Sequence, residues 1–160
     1  MSEITLQYTT SQATKELVER ALRAIKSDFM AAESEPGIVS PAMFVDYLRL
    51  QLSDHEREHF CVIFLDNQNR IIEAEIIFSG TLDHVSIHPR IIARKALLRN
   101  AAAVLLAHNH PSGEVNPSQT DKTVTEHIVK CLSMLDIKTL DHMIVSPGEN
   151  HYSFAEHGLL

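Results

Sequence analysis

With 160 residues, 44% of them hydrophobic, the chain is long enough for one domain with a proper core and too short for two of usual size. No apolar run approaches the roughly 20 residues that span a bilayer, and the N-terminal MSEITLQYTTSQ lacks the charged and apolar regions of a signal peptide, so a cytoplasmic protein with no membrane partner is expected. The formal net charge of −7, without a Lys/Arg cluster beyond the segment 90–99, leaves no footprint for the phosphate backbone and argues against direct nucleic-acid binding.

Residues 11–32 carry Leu17, Ala21, Leu22, Ile25 and Phe29 at three- and four-residue spacing with charged residues opposite, which predicts an amphipathic helix. The polar ESEPG at 33–37 is the best boundary candidate, so residues 1–37 read as an appendage helix with its linker and 38–160 as the domain. Ser40-Pro41 supplies an N-cap and a first-turn proline for a helix reaching about Ser53, with Met43, Phe44, Tyr47, Leu48 and Leu50 as its apolar stripe. FCVIFL at 60–65, the turn at 66–69 and the run 71–78 predict a hairpin closed by Ser79-Gly80-Thr81. A short strand is expected near Val85–Ile87. Pro89 then opens a helix through Asn100 with Ile91, Ile92, Ala96 and Leu97 on one face.

Residues 102–107 form a continuous apolar run, the mark of a central strand covered on both sides. The loop 111–117 leads to an amphipathic helix from Ser118 to about Leu135, with Val124, Ile128, Cys131, Leu132 and Leu135 inward. Closing strands are expected at 138–145 and 152–154, around a Pro147-Gly148 turn. The order of elements is that of an α/β protein. Cys61 and Cys131 both sit in apolar segments and read as core thiols.

The chemistry gathers at 101–121, AAAVLLAHNHPSGEVNPSQTD. In a strand, residues i and i+2 share a face, so His108 and His110 can present two imidazoles to one ion while Asn109 points away. A third protein ligand and an open fourth position make a catalytic zinc site, and Asp121, in the first turn of the next helix, is placed to supply that ligand. The plainer readings are two solvated or core histidines at a strand end, and a capping box in Ser118-x-x-Asp121; capping and ligation are compatible, because a cap fixes the turn that aims the carboxylate. The joint pattern would arise in roughly one of four hundred shuffled chains of this composition, so it outweighs its parts.

His108, Asn109, His110 and Pro111, followed by Ser118 and Asp121, resemble the JAMM signature of the JAB/MPN metalloprotease-like fold. More closely, LDNQNR at 65–70, SGT at 79–81, HPR at 88–90, HNHPSG at 108–113, PSQTD at 117–121, LDHMIV at 140–145 and YSFAEHGLL at 152–160 resemble the bacterial RadC family over about residues 38–160. Longer RadC proteins carry a helix-hairpin-helix-like region at the N-terminal end, where this chain has the single helix at 11–32. It resembles the short, prophage- or plasmid-type member.

The resemblance implies a mixed, largely antiparallel sheet flanked by helices, a JAB/MPN-like and cytidine-deaminase-like architecture. It also implies a zinc ion (Zn2+) on His108, His110 and Asp121, and a glutamate at the edge of the first core strand. Glu58, two residues before that strand, matches this position, with Glu56 as the alternative; its role would be general base, with Ser118 donating to the oxyanion. The implied activity is zinc-dependent hydrolysis of amide or isopeptide bonds in a peptide or protein substrate. The competing function is a non-catalytic, metal-stabilised interaction module in DNA repair or mobile-element biology.

Three decoys remain. His55-Glu56-Arg57-Glu58-His59 matches the HExxH zincin pattern literally, but a zincin needs it on a helix, and a β-prone run begins at once at Phe60. HNH also spells a nuclease family whose histidines lie farther apart. His84, His88 and His142 read as hydrogen-bonded structural histidines. Ser79, Thr81 and Arg90 are candidates for the cleft lining, although a loop turn and a helix start explain them equally well.

Overall fold

The computed structural model describes residues 11–31, 41–52, 57–80, 87–148 and 150–160. The linker at 33–37, His55 and Glu56 of the HExxH match, Thr81, His84 and all but Ile87 of the strand expected at 85–87 lie outside these residues. The chain divides into two compact units, Met1–Val39 and Ser40–Leu160, each described by itself. The first contains α1 (Gln12–Ala31), whose Leu17 is exposed. No described helix is long and apolar enough to cross a membrane.

Among the described residues, the second unit is a five-stranded sheet with three helices. In chain order its elements are α2 (Pro41–Gln51), β1 (Glu58–Leu65), β2 (Ile71–Gly80), α3 (Pro89–Leu98), β3 (Ala103–Asn109), α4 (Gln119–Ser133), β4 (Lys138–Val145) and β5 (His151–Ser153). The strand order is β2-β1-β3-β4-β5; β3 and β4 are parallel and the other three pairings antiparallel. The parallel pair requires a crossover, and α4 is that crossover. This is the mixed, largely antiparallel sheet flanked by helices that the sequence implies.

β3 sits in the middle and is buried on both faces, as its unbroken apolar run predicts. One face carries Phe60, Val62 and Phe64 of β1 with Val104 and Leu106 of β3, packed with Ile92, Ala93 and Ala96 of α3 and Ile128 and Leu132 of α4. On the other side of β1 are Cys61 and Ile63, also buried. Burial is the main cause that pushes both the Cys61 thiol and the Tyr47 phenol of α2 up to about 12. Cys61 is an inert core thiol.

Three expectations need correction. α3 buries Ile92, Ala93 and Ala96 while Ile91 and Leu97 are exposed; the facing stripe follows i, i+1, i+4, and the small alanines permit close approach to the sheet. α4 stops at Ser133 and leaves Leu135 exposed, since the chain must turn there, through a positive φ at Asp136, to enter β4. β2 continues through Ser79 and Gly80 rather than ending at Phe78, because those residues pair with His59 and Glu58.

Ile128 is completely buried between α4 and the sheet. Ile128→Ala is expected to cost about 2–5 kcal/mol of stability, read as a lower midpoint in urea with an unchanged m-value.

Candidate metal centre

The sequence turns from strand to helix through a tightly specified path. His110, Pro111, Ser112 and Gly113 form a turn closed by Gly113 N–H donating to the His110 carbonyl at 3.1 Å, with proline and glycine at the second and fourth places that such turns favour. Gly113 has φ +89°, which a residue with a Cβ adopts only under strain. Ser118 then caps α4: its Oγ accepts from Asp121 N–H at 3.1 Å, while Asp121 Oδ2 accepts from Ser118 N–H at 2.7 Å. The capping box is real, and it aims the carboxylate.

The aim is at the end of β3. Asp121 Oδ1 lies 3.4 Å from His108 Nε2 and Oδ2 lies 3.7 Å from His110 Nε2, while the two imidazole Nε2 atoms are 2.9 Å apart. One ligand atom from each of the three residues falls within 4.8 Å of the other two, the one such group of three among the described residues. His108 and Asp121 are buried, and His110 is partly exposed. Burial holds the His108 imidazole down to about 4, opposed by the Asp121 charge and reinforced by His110, so it is neutral at neutral pH. His110 Nδ1 contacts the Glu114 carbonyl at 2.7 Å; a carbonyl only accepts, so Nδ1 carries a proton and Nε2 is the ring atom turned toward Asp121 and His108. Two imidazoles and a carboxylate are a donor set that fits zinc.

Glu58 is partly exposed and is the first residue of β1, where the sequence puts it two residues ahead of the strand. Phe60 pairs with His108 across the antiparallel β1/β3 ladder, and Glu58, two residues earlier in the same strand, shares the face of Phe60 by strand alternation. Asn109 points to the other face, as strand alternation requires, and it is not idle there. Its Oδ1 accepts from His59 N–H at 2.6 Å and its Nδ2 donates to the Arg57 carbonyl at 2.9 Å. These bonds grip the backbone on both sides of Glu58.

Ser118 Oγ also donates to Asp121 Oδ2 at 2.6 Å. His59 lies in β1 rather than on a helix, with its Nδ1 2.6 Å from Ser79 Oγ, whereas the zincin pattern needs its histidines on a helix. Ser79 is thus engaged with His59, His88 is the exposed N-cap residue of α3, and Arg90 is exposed in its first turn. Thr125 escapes the pattern of the sequence, while His142, read there as a hydrogen-bonded structural histidine, is one and is bonded to the site. His142 and Thr125 are fully buried beside His108, and their one signal is a polar residue placed where an apolar one would pack, in LDHMIV and on the inward stripe Asp121, Thr125, Ile128, Leu132.

A family model described as RadC-like JAB domain matches residues 38–159. The chain is also similar to UPF0758 protein YkfG of Escherichia coli (strain K12), with 48% identity over 148 residues that span 91% of this chain and 90% of that protein.

Burial depresses His142 as well as His108, below the ordinary 6.5. At His108 the unfolded chain therefore binds a proton below about pH 6.5 that the fold refuses down to about 4, and stability falls as pH drops through that window, by up to about 1.4 kcal/mol per pH unit; His142 adds to the loss in the same direction. Melting of the metal-free protein should show this loss between pH 6.5 and 4; a flat profile there contradicts the burial of neutral imidazoles.

Proposed function

This chain belongs to the RadC-like JAB domain family, and from that premise we propose that it is a zinc-dependent hydrolase of amide or isopeptide bonds acting on a peptide or protein substrate. The observation that carries the reading is the convergence of His108, His110 and Asp121 on one point; strand alternation, by which Glu58 shares the face of Phe60, the partner of His108, supports its role as base. His108, His110 and Asp121 would hold the ion, leaving a fourth position open. Zinc, when bound there, supplies Lewis acidity toward water and toward the substrate carbonyl.

The rest of the chemistry falls to side chains. Glu58 takes a proton from the attacking water and returns it to the leaving nitrogen, which turns a poor leaving group into an amine. Its partial exposure admits substrate, and the grip of Asn109 on the flanking backbone limits its wandering. Ser118 Oγ keeps its position as acceptor from Asp121 N–H while its hydroxyl proton rotates from Oδ2 toward the developing oxyanion. Burial of His108 and Asp121 keeps bulk water away from the ligand side and strengthens every charge interaction within it. Direct nucleic-acid contact plays no part in this reading, consistent with a net charge of −7.

Metal analysis and product mapping test the proposal separately. Wild-type protein is expected to bind zinc near one equivalent, and Asp121→Ala to lose most of it; equal zinc in both would overturn the ligand set. Glu58→Gln is expected to retain zinc while losing turnover by about 100-fold or more, seen as new N-termini generated in a proteome by wild type and missing with the variant. Identical N-termini from both chains would remove Glu58 as base, whereas none from either would favour an interaction module.

A further inference from the structure

We propose that Thr125 and His142 are positioning residues, a one-way hydrogen-bond chain that starts at the Asp121 carbonyl and fixes His108 in the tautomer whose Nε2 is a lone pair. The inference rests on the metal reading above and goes beyond it, because neither residue is a ligand. Three contacts make the chain. Thr125 Oγ1 donates to the Asp121 carbonyl at 2.6 Å, the same Oγ1 lies 2.6 Å from His142 Nδ1, and His142 Nε2 lies 2.8 Å from His108 Nδ1.

The direction follows from counting protons. The Asp121 carbonyl accepts only, so it consumes the single proton of the Thr125 hydroxyl. His142 Nδ1 must then donate to Thr125 Oγ1. His142 is wholly buried between Phe60 and Phe154, where an uncompensated charge is costly; with the one proton of its ring on Nδ1, its Nε2 accepts. The donor to that Nε2 is His108 Nδ1, which leaves His108 Nε2 without a proton. The reverse polarity, with His142 donating to His108, would require the one Thr125 proton to point at His142 and would leave two oxygen lone pairs facing each other at 2.6 Å.

The consequence is local and chemical. His110 Nδ1 is bonded to the Glu114 carbonyl, so the lone pair of His108 Nε2 faces His110 Nε2 at 2.9 Å and the Asp121 carboxylate at 3.4 Å. The chain thus keeps the His108 lone pair on the side where Asp121 and His110 converge, and prevents His108 from turning a proton there by changing tautomer. Packing holds the rings in place: Phe60 stacks on His108 at 6.1 Å, and Phe154 stacks on His142 at 4.7 Å. One helix turn thus serves both ligands, since Asp121 gives its carboxylate to the site and its carbonyl to the chain that orients His108.

The test reads the tautomer directly. Long-range proton–nitrogen NMR of the metal-free wild type at neutral pH is expected to find His108 with its proton on Nδ1 alone. Thr125→Val, close in volume but without the hydroxyl, should mix the two tautomers and weaken zinc binding about 10- to 100-fold in chelator competition, and Thr125→Ser should restore both. His142→Phe, which keeps a ring between Phe60 and Phe154, should match Thr125→Val if either variant folds poorly. A His108 proton on Nε2 in wild type, or a tautomer unchanged in Thr125→Val and His142→Phe, overturns the proposal whatever the zinc affinity. Absence of zinc binding by wild type with the expected tautomer would overturn the metal reading and leave the chain standing.

Discussion

Four polar side chains, His108, Asp121, Thr125 and His142, are buried at one end of an otherwise apolar layer, and the site depends on how that burial is satisfied. Burying such groups without partners costs several kcal/mol in total. Here they bond to one another and to the backbone, and nothing about the arrangement is loose. The apolar part of the same layer, from Phe64 and Leu106 down to Leu132, supplies the packing that holds α4 against the sheet. Polar end and apolar body share one helix stripe.

That sharing explains why the strand-to-helix turn is so closely specified. Asp121 must reach His108, so the N-terminus of α4 has to sit at one place, and the Ser118 cap, the His110–Gly113 turn and the Glu114 carbonyl each remove a freedom from the loop between them. The capping box and the carboxylate's aim are one feature seen from two sides. Across the sheet, Asn109 does for the β1 backbone what the cap does for α4, anchoring the segment that carries Glu58. A side chain that strand alternation turns away from the imidazoles ends up ordering the backbone on both sides of Glu58.

Much of this is readable in the chain. Continuous apolar residues at 102–107 mark a doubly covered strand, Pro41 and Pro89 mark helix starts, and His108, His110 and Asp121 stand close enough in sequence for strand alternation and one capped turn to bring them together. Helix faces are read less well. Leu97 and Leu135 look inward by spacing yet are exposed, because the sheet, not the period, decides which side of a helix is covered and where the helix must stop.

The sequence by itself determined the residue types of the candidate site and the local path that links three of them, since these depend on alternation, capping and turn geometry acting over a few positions. Only the tertiary structure decided the rest. Phe60, two residues after Glu58 in β1, meets His108 through the register between β1 and β3, a pairing of residues some fifty positions apart. His142 comes to His108 from the neighbouring parallel strand, and its bonding direction depends on where Thr125 sends one proton. Hydrogen-bond polarity is a property of a closed network, and no segment of the chain contains that network until α4 has packed across the sheet.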